Sequence, residues 1–171
     1  MTILRCDRNV LLVEGTEERL VIPELVEKAT GILWGDRRAK EHPVEIHMCG
    51  GDREVLNRKR VNALLKTPHL EAIGLVIDAN GAAAQRWQRV RDRFEHSFPS
   101  LPDSIPPEGL FALNAAGLRL GVWIMPDNQR TGMLETLLCD LIRQDQMPVF
   151  EHAKQATAQA QAIPRHSRML I

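Results

Sequence analysis

Leu11-Leu12-Val13-Glu14-Gly15 and Leu75-Val76-Ile77-Asp78-Ala79-Asn80 are two short apolar runs, and each run is followed by an acid. Such runs are typical of strands that are buried on both faces of a parallel sheet. The carboxyl ends of parallel strands lie along one edge, where ligands bind, and neighbouring strands are about 4.8 Å apart. The two runs therefore predict a parallel sheet with Glu14 and Asp78 at one edge, where they could share one magnesium ion.

Strand and helix patterns alternate along the rest of the chain. Apolar runs predict strands over residues 10–13, 44–48 and 73–78, and a hairpin with arms 110–113 and 118–125 around a turn. Helical spacing predicts helices over residues 17–29 and 52–66, around Trp87, Val90 and Phe94, from Thr131 onward, and over 151–162. Four prolines make residues 98–109 a Pro-rich internal loop.

This alternation indicates an α/β fold, in which a mostly parallel, Rossmann-like sheet is flanked by helices. The hairpin would add an antiparallel strand at one edge. A chain of 171 residues fits a single domain spanning residues 1–171. The last residues, 163–171, turn basic and then apolar, and from this we expect a chain cut where another element begins. A C-terminal strand that docks on the sheet is the alternative.

Composition narrows the classes of protein to consider. The chain carries 22 basic and 22 acidic residues, so its overall charge neither favours nor excludes nucleic acid or membrane surfaces. Cys6, Cys49 and Cys139 are far apart, which argues against a zinc site or a disulfide framework. The sequence has neither an apolar run that could span a bilayer nor the apolar core of a signal peptide. We expect a cytoplasmic protein with no membrane partner.

The residues at the two strand ends suit a hard cation. Gly15, directly after Glu14, lets the chain turn sharply into the next helix. Asp78 and Asn80 are two residues apart, so their side chains point the same way while the chain stays extended. Magnesium takes oxygen ligands and usually keeps several waters, so one or two carboxylates suffice. Glu14 and Asp78 would supply these, and Asn80 would add a neutral oxygen.

A strand followed by Glu14-Gly15, and a later strand followed by Asp78-Ala79-Asn80, resemble the Toprim domain. That domain is the magnesium-binding catalytic unit of topoisomerases, bacterial primases and several nucleases, and its second motif reads Asp-x-Asp, so its last acid is missing here. The stretch from Gly121 to Asn128, with Gly132-Met133-Leu134-Glu135 after it, is similar to a small prokaryotic Toprim-related family without an assigned reaction. This likeness covers most of the chain and implies a Toprim-like fold.

The resemblance also implies roles for the positions that match. Glu14 would be the general acid or base in phosphoryl transfer, and Asp78 would be the main ligand of Mg²⁺ or Mn²⁺, with Asn80 as a secondary ligand. Asp127 and Glu135 would hold a second metal ion or orient the first. The substrate would be nucleic acid.

Each of these acids also has an ordinary structural explanation. Negative charge near a helix N-terminus, as at Glu14, is favourable by about 0.3–1 kcal/mol without any function. Asp78 begins a sequence, Asp-Ala-Asn-Gly, that forms turns readily. The combination of three strand ends with acids, at Glu14, Asp78 and Asp127, favours function over these explanations, while Glu135 alone favours neither.

Two further features concern phosphate. Gly50-Gly51, before a basic helix, could hold a phosphate group on backbone N–H groups, although a glycine pair after a strand is more often a turn. A group of arginines after the Asp78 motif could contact a nucleic-acid backbone, but neighbouring acids favour a solvated mixed surface. This group comprises Arg86, Arg89, Arg91 and Arg93.

Three functions remain open. The first is magnesium-dependent phosphotransfer or phosphodiester cleavage on nucleic acid. The second is a catalytically weak Toprim-like module that binds nucleic acid, a nucleotide or a protein, which the Asn80 substitution favours. The third is a phospho-receiver-like signalling domain, which ranks last because Gly15 replaces the second acid expected at the end of the first strand.

Overall fold

A five-stranded sheet forms the centre of the protein in a computed structural model, which describes residues 8–32 and 44–162. Its strands are β1 (Asn9–Val13), β2 (Glu45–Met48), β3 (Ala72–Asp78), β4 (Leu110–Leu113) and β5 (Arg119–Met125), in the order β2-β1-β3-β5-β4. The pairs β1–β2, β1–β3 and β3–β5 are parallel, and β4 lies antiparallel to β5 at one edge. The predicted α/β fold, with a mostly parallel sheet and one added hairpin strand, is confirmed.

Six α-helices lie among the described residues. They are α1 (Thr16–Thr30), α2 (Asp52–Val55), α3 (Arg58–Leu65), α4 (Ala83–Phe94), α5 (Leu134–Asp140) and α6 (Met147–Ala162), with a short 3₁₀ helix at Gln144–Gln146. None of the helices in this part of the chain is both long and apolar enough to cross a membrane. The Pro-rich loop, residues 98–109, contains no helix or strand.

The helix predicted over residues 52–66 is two helices, because Asn57 interrupts it. The Asn57 side chain accepts hydrogen bonds from the backbone N–H groups of Lys59 and Arg60, at 3.0 and 3.4 Å, and so caps the start of α3. An asparagine in this position satisfies N–H groups that would otherwise have no partner, which favours a new helix start over a continuous helix.

The helix predicted from Thr131 onward is shorter than its apolar stripe. It begins at Leu134, because Gly132 has a φ of 150° and its carbonyl accepts a hydrogen bond of 2.9 Å from the Asn80 N–H. Leu134 is buried, whereas Met133 and Leu141 are 42% and 54% exposed. The apolar stripe therefore predicts a helix that is longer and more buried than the one observed.

One face of the sheet carries the main core. Alternate residues of the three central strands point to this face, and they pack with apolar residues of α2, α3 and α4. The strand residues of this set are Val10, Leu12, Ile73, Leu75, Ile77, Leu120, Val122 and Ile124. Asp78 follows Ile77 in β3 and therefore points to the opposite face, away from this core.

Contacts divide the chain into two units, the first ending at Leu137 and the second beginning at Leu138. The first unit contains the whole sheet and helices α1–α4, and the second contains the 3₁₀ helix and α6. The single-domain organisation stays a prediction. The C-terminal segment 163–171, on which the expectation of a cut chain depends, lies outside the described residues.

Candidate functional site

The carboxyl ends of β1 and β3 meet, as the two apolar runs predict. Leu12 lies opposite Leu75, and Val13 opposite Val76, in a parallel register. The result is that Oε1 of Glu14 accepts a hydrogen bond of 3.1 Å from the backbone N–H of Asp78.

Arg86, in the first turns of α4, is the second partner of Glu14. Its side chain is only 3% exposed, and Nη2 lies 2.5 Å from Oε1 of Glu14. Its Nη1 contacts the carboxylate of Asp52, at the start of α2. The expectation that Arg86 belongs to a solvated surface is wrong, because it forms a buried ion pair that links the ends of β1 and α2 to α4.

A signal for the burial of Arg86 was present in the sequence. Ala83, Trp87, Val90 and Phe94 are all buried residues of α4. Residues three and four apart lie on the same side of a helix, which places Arg86 beside Ala83 and Val90 on the apolar side. A charged residue in that position needs a buried partner of opposite charge, and Glu14 provides it.

Asp78 lies in an acidic environment. Burial, followed by the charges of Glu14, Glu18 and Glu135, raises the pKa of Asp78 to about 7, although the Leu134 N–H donates a hydrogen bond of 3.1 Å to its Oδ1. We call these four acids, Glu14, Glu18, Asp78 and Glu135, the acidic cluster. A carboxyl group whose pKa is raised by nearby acids is a common feature of functional sites.

Glu18 is a member of this cluster that the sequence interpretation missed. It lies in the first turn of α1, is 6% exposed, and its Oε2 accepts a hydrogen bond of 2.8 Å from the Gly15 N–H. Its place in a first helical turn suggested only a favourable charge at a helix N-terminus. It is nevertheless buried, and its charge contributes to the raised pKa of Asp78.

Asn80 does not continue the extended chain of β3. Its φ is 54°, in the left-handed region, and the residue is exposed. Its backbone N–H donates to the Gly132 carbonyl, which ties the β3–α4 loop to the segment before α5. The parallel side-chain directions of Asp78 and Asn80 required an extended chain, so that expectation fails at Asn80.

Asp127 and Glu135 differ in their relation to the cluster. The Asp127 carboxylate accepts hydrogen bonds from the N–H groups of Gln129 and Arg130 and pairs with the Arg130 guanidinium. These bonds to Arg130 hold the Asp127 pKa below its usual value and give the residue a role in a local turn. Glu135 is exposed, at the start of α5, and it belongs to the cluster through its charge on Asp78.

Gly50 and Gly51 stabilise the backbone at the end of β1. Their N–H groups donate to the Glu14 carbonyl at 2.9 and 2.8 Å, and their φ angles of 88° and 113° suit glycine. A phosphate group could reach these two donors only by displacing the Glu14 carbonyl. The pair therefore fixes the backbone at the end of β1. The helix that follows, α2, has a single turn, which makes it a short helix for a phosphate site.

Asn128 stabilises the segment after β5 from within the core. Its side chain is buried, with the residue 1% exposed, and its φ is 65°. Its Oδ1 accepts a hydrogen bond of 2.7 Å from the Ile124 N–H, and its Nδ2 donates a hydrogen bond of 3.0 Å to the Pro107 carbonyl. The Pro-rich loop is thereby fastened to the end of β5. Asn128, which lies in the stretch similar to the Toprim-related family, thus has a structural role.

The carboxylate oxygens of the acidic cluster are the kind of ligand that a hard cation prefers. Oε1 of Glu14 and Oδ1 of Asp78 already accept hydrogen bonds, while their second oxygens have no hydrogen-bond donor among the described residues. Within residues 8–32 and 44–162, no three His, Cys, Asp or Glu side chains are arranged as a ready metal site. Mg²⁺ keeps several waters, so the one or two carboxylates at Glu14 and Asp78 still match its needs.

Comparison with known proteins assigns the chain to a family. Neither a curated protein nor a solved structure matches it significantly. A family model described as "Protein of unknown function (DUF3226)" matches residues 8–167, which is most of the chain. The protein therefore belongs to the DUF3226 family.

Proposed function

We propose that the protein is a Toprim-like, magnesium-dependent enzyme of phosphotransfer or phosphodiester cleavage on nucleic acid. The observation that carries this proposal lies where two neighbouring parallel strands end. There the Glu14 carboxylate accepts a hydrogen bond from the Asp78 backbone N–H, and both residues belong to the acidic cluster. Burial, and then the charges of Glu14, Glu18 and Glu135, disfavour the ionised form of Asp78, and a divalent cation bound there would offset this cost.

Asp78 would hold the ion through its second oxygen and water molecules would complete the coordination, with Mn²⁺ as a substitute for Mg²⁺. Bound there, the ion would neutralise charge on a phosphate group. Oxygen-only ligands and an edge at the carboxyl ends of parallel strands support this assignment.

The residues of the chain would divide the remaining work. Glu14 is oriented by the Asp78 N–H and by Arg86, so its second oxygen is positioned to accept a proton from an attacking hydroxyl or water. Asp78, with a pKa of about 7, exchanges its proton near neutral pH. Glu18 and Glu135 would strengthen the negative potential that attracts the cation.

Calorimetric titration with MgCl₂ and with MnCl₂ tests the metal site. We expect binding by the wild type at pH 8, weaker binding at pH 6 where Asp78 holds a proton, and loss of binding in Asp78→Asn. Asp103→Asn is the control, because its side chain is 99% exposed and it removes the same charge. Equal binding by Asp78→Asn and the wild type would refute the site.

Nicking of supercoiled plasmid, and cleavage of labelled single strands, test the reaction. We expect activity with Mg²⁺ or Mn²⁺, none with a chelator, and none in Asp78→Asn. Asp103→Asn should stay active. Activity that persists in the chelator would contradict a metal-dependent reaction.

A second candidate is a catalytically weak module that binds nucleic acid, a nucleotide or a protein. It is favoured by Asn80, which stands where the Toprim motif has an acid and which turns away from the extended strand. Binding of an oligonucleotide that is unchanged by a chelator, together with no cleavage, would favour this candidate.

The phospho-receiver alternative loses support, because the all-parallel order 2-1-3-4-5 of flavodoxin-like proteins is not the order found here.

A further inference from the structure

Positive charge is concentrated on the helices that cover the main core. Helices α2, α3 and α4 together carry eight basic and three acidic residues. By contrast, α1, none of whose residues belongs to that core, carries two basic and four acidic residues. Since the whole chain has equal numbers of basic and acidic residues, its charge is separated between different surfaces. A basic surface on one set of helices is typical of proteins that bind polyanions.

Most of these basic side chains have no acidic partner. Arg86 is buried against acids, and Arg91 pairs with Asp103 at 3.1 Å. Arg89 lies 3.6 Å from Asp52, but its side chain is 61% exposed. Within residues 8–32 and 44–162, no acid pairs with the other basic side chains of these helices, which are Arg53, Arg58, Lys59, Arg60 and Arg93. Their charges are therefore available to a ligand.

Three arginines form a stripe along one side of α4. Arg86 and Arg89 both contact Asp52, at the start of α2, so this side of α4 faces α2 and α3. Arg93 follows Arg89 by four residues and Arg86 by seven, which places it on the same side of the helix. Arg89 and Arg93 therefore border the space between α4 and its neighbours.

Arg58 borders the same space from α3. Nη2 of Arg60 lies 3.5 Å from the Cys49 carbonyl, directly after β2, so that side of α3 faces the β2 edge of the sheet. Arg58 is two residues away, more than half of a 3.6-residue turn, and thus lies on the opposite side of α3, toward α4. We call the space between α3 and α4, bordered by Arg58, Arg89 and Arg93, the basic groove.

The first turn of α3 carries charge that does not stabilise the helix. Arg58, Lys59 and Arg60 are its first three residues, and this turn contains no acid. The positive end of a helix dipole favours acids and disfavours cations. Asn57 already accepts hydrogen bonds from the Lys59 and Arg60 N–H groups. The three basic side chains therefore indicate a negatively charged partner rather than a contribution to stability.

The exposed side chains of these helices suit a phosphate backbone. The large apolar residues that are exposed in the described ranges all lie outside α2, α3 and α4, although protein and membrane partners require such residues. Trp87 and Phe94, the aromatic residues of these helices, are buried and cannot stack on the bases of a single strand. Guanidinium groups, by contrast, pair with phosphates in a two-pronged geometry.

We propose that the basic groove binds the phosphate backbone of double-stranded nucleic acid through Arg58, Arg89 and Arg93. Arg89 is one turn from Arg86, which bonds to Glu14, so a duplex in the groove would reach the edge of the sheet that carries the acidic cluster. The inference rests on the proposed function, because it takes nucleic acid as the substrate. Binding in the groove requires no metal and, since it involves phosphates alone, is independent of base sequence.

A short fluorescein-labelled DNA duplex, titrated with the full chain in EDTA and followed by fluorescence anisotropy, tests the groove. We expect binding that weakens steeply with salt. Arg58→Gln, Arg89→Gln and Arg93→Gln should each weaken it severalfold and reduce the slope of log K against log[salt] by about 1. Arg19→Gln is the matched control, because it removes the same charge from an exposed position on α1. Equal weakening by Arg19→Gln would mean a general ionic attraction and overturn the proposal.

Arg58→Glu separates binding from folding. It reverses a charge in the first turn of α3, where a negative group suits the helix dipole, so the melting temperature should not fall. Duplex binding should nevertheless weaken more than in Arg58→Gln. Wild-type affinity for the duplex in Arg58→Glu would count against the groove.

Competition identifies the partner. Unlabelled duplex of a different sequence should displace the labelled duplex, whereas poly-glutamate at the same concentration of charge should displace little. Equal displacement by poly-glutamate would overturn the assignment to a phosphate backbone. In EDTA, Asp78→Asn should bind the duplex at least as well as the wild type. Failure of duplex binding is thus distinct from failure of the metal site, which the titrations with MgCl₂ and MnCl₂ measure without nucleic acid.

Discussion

Oε1 of Glu14 accepts a hydrogen bond of 3.1 Å from the backbone N–H of Asp78, a residue 64 positions further along the chain. Because the donor belongs to the main chain, substitution of the Asp78 side chain leaves it in place. Asp78→Asn therefore removes one carboxylate while Glu14 keeps both of its hydrogen-bond donors. This makes Asp78→Asn a cleaner probe of the acidic cluster than any substitution of Glu14.

Arg86→Met should be strongly destabilising. It would leave Glu14 buried without its guanidinium partner, and loss of one member of a buried ion pair typically costs about 3–5 kcal/mol. Urea denaturation measures this change in the free energy of unfolding. Arg89→Met is the matched control: its side chain is 61% exposed, and we expect a loss below about 1 kcal/mol.

The double variant Glu14→Gln with Arg86→Met completes a thermodynamic cycle for this pair. Once the Glu14 charge is removed, the absence of Arg86 should cost less than it does in the wild type. Strictly additive losses would show that the two side chains do not interact in solution.

The raised pKa of Asp78 predicts a specific dependence of stability on pH. Between pH 3.8 and about 7 the folded protein binds the Asp78 proton more tightly than the unfolded chain does. Stability from this group is therefore present at low pH, falls as the pH rises through that window, and levels off above it. Relative to the wild type, Asp78→Asn should gain stability as the pH rises from about 4 to about 7, measured by urea denaturation at each pH. A constant difference between the two proteins would contradict the raised pKa.

Asn128→Ala should destabilise the protein by about 3 kcal/mol. It leaves the Ile124 N–H and the Pro107 carbonyl without their side-chain partner, and each buried group without a partner costs about 1–3 kcal/mol. Asn128→Gly removes the same bonds but adopts the φ of 65° readily, so it should be about 1 kcal/mol more stable than Asn128→Ala. Thermal unfolding of the three proteins measures both differences; equal stability of Asn128→Ala and the wild type would show that the bonds contribute nothing.

Asn80→Asp should strengthen Mg²⁺ binding by less than about tenfold (~1.4 kcal/mol), through its added negative charge, because the residue is exposed and turns away from the extended strand. Aspartate, like asparagine, tolerates the left-handed backbone at this position, so the fold should be preserved. Calorimetric titration with MgCl₂ measures the affinity, and Asn80→Ser serves as the uncharged control. An unchanged Mg²⁺ affinity would place Asn80 outside any metal site.

The strands were predictable because their signal is local. An apolar run between polar residues located each strand to within one residue, and the acid after β1 and the acid at the end of β3 then followed from the direction of the chain. The break at Asn57 was missed because one side chain competes with the helix for two N–H groups. Helical spacing alone does not describe that competition.

The details of the site were less accessible because they depend on distant partners. Arg86 is buried because Glu14, 72 residues away, neutralises it. Asn80 leaves the extended conformation, and Gly132 accepts a hydrogen bond from its N–H. In neither case does the adjacent sequence identify the distant partner. The position of Arg86 on the apolar side of α4 was the one local sign of its burial.

The bonds at Glu14 also bear on how the protein can be divided. The residue is held through its carbonyl by Gly50 and Gly51 and through its side chain by Asp78 and Arg86. A peptide that ends before residue 78 keeps the acid but lacks both of its side-chain donors. Contacts of such sequence separation also slow folding, since long loops must close first. The edge of the sheet should therefore assemble late, and only in a chain that extends at least through α4.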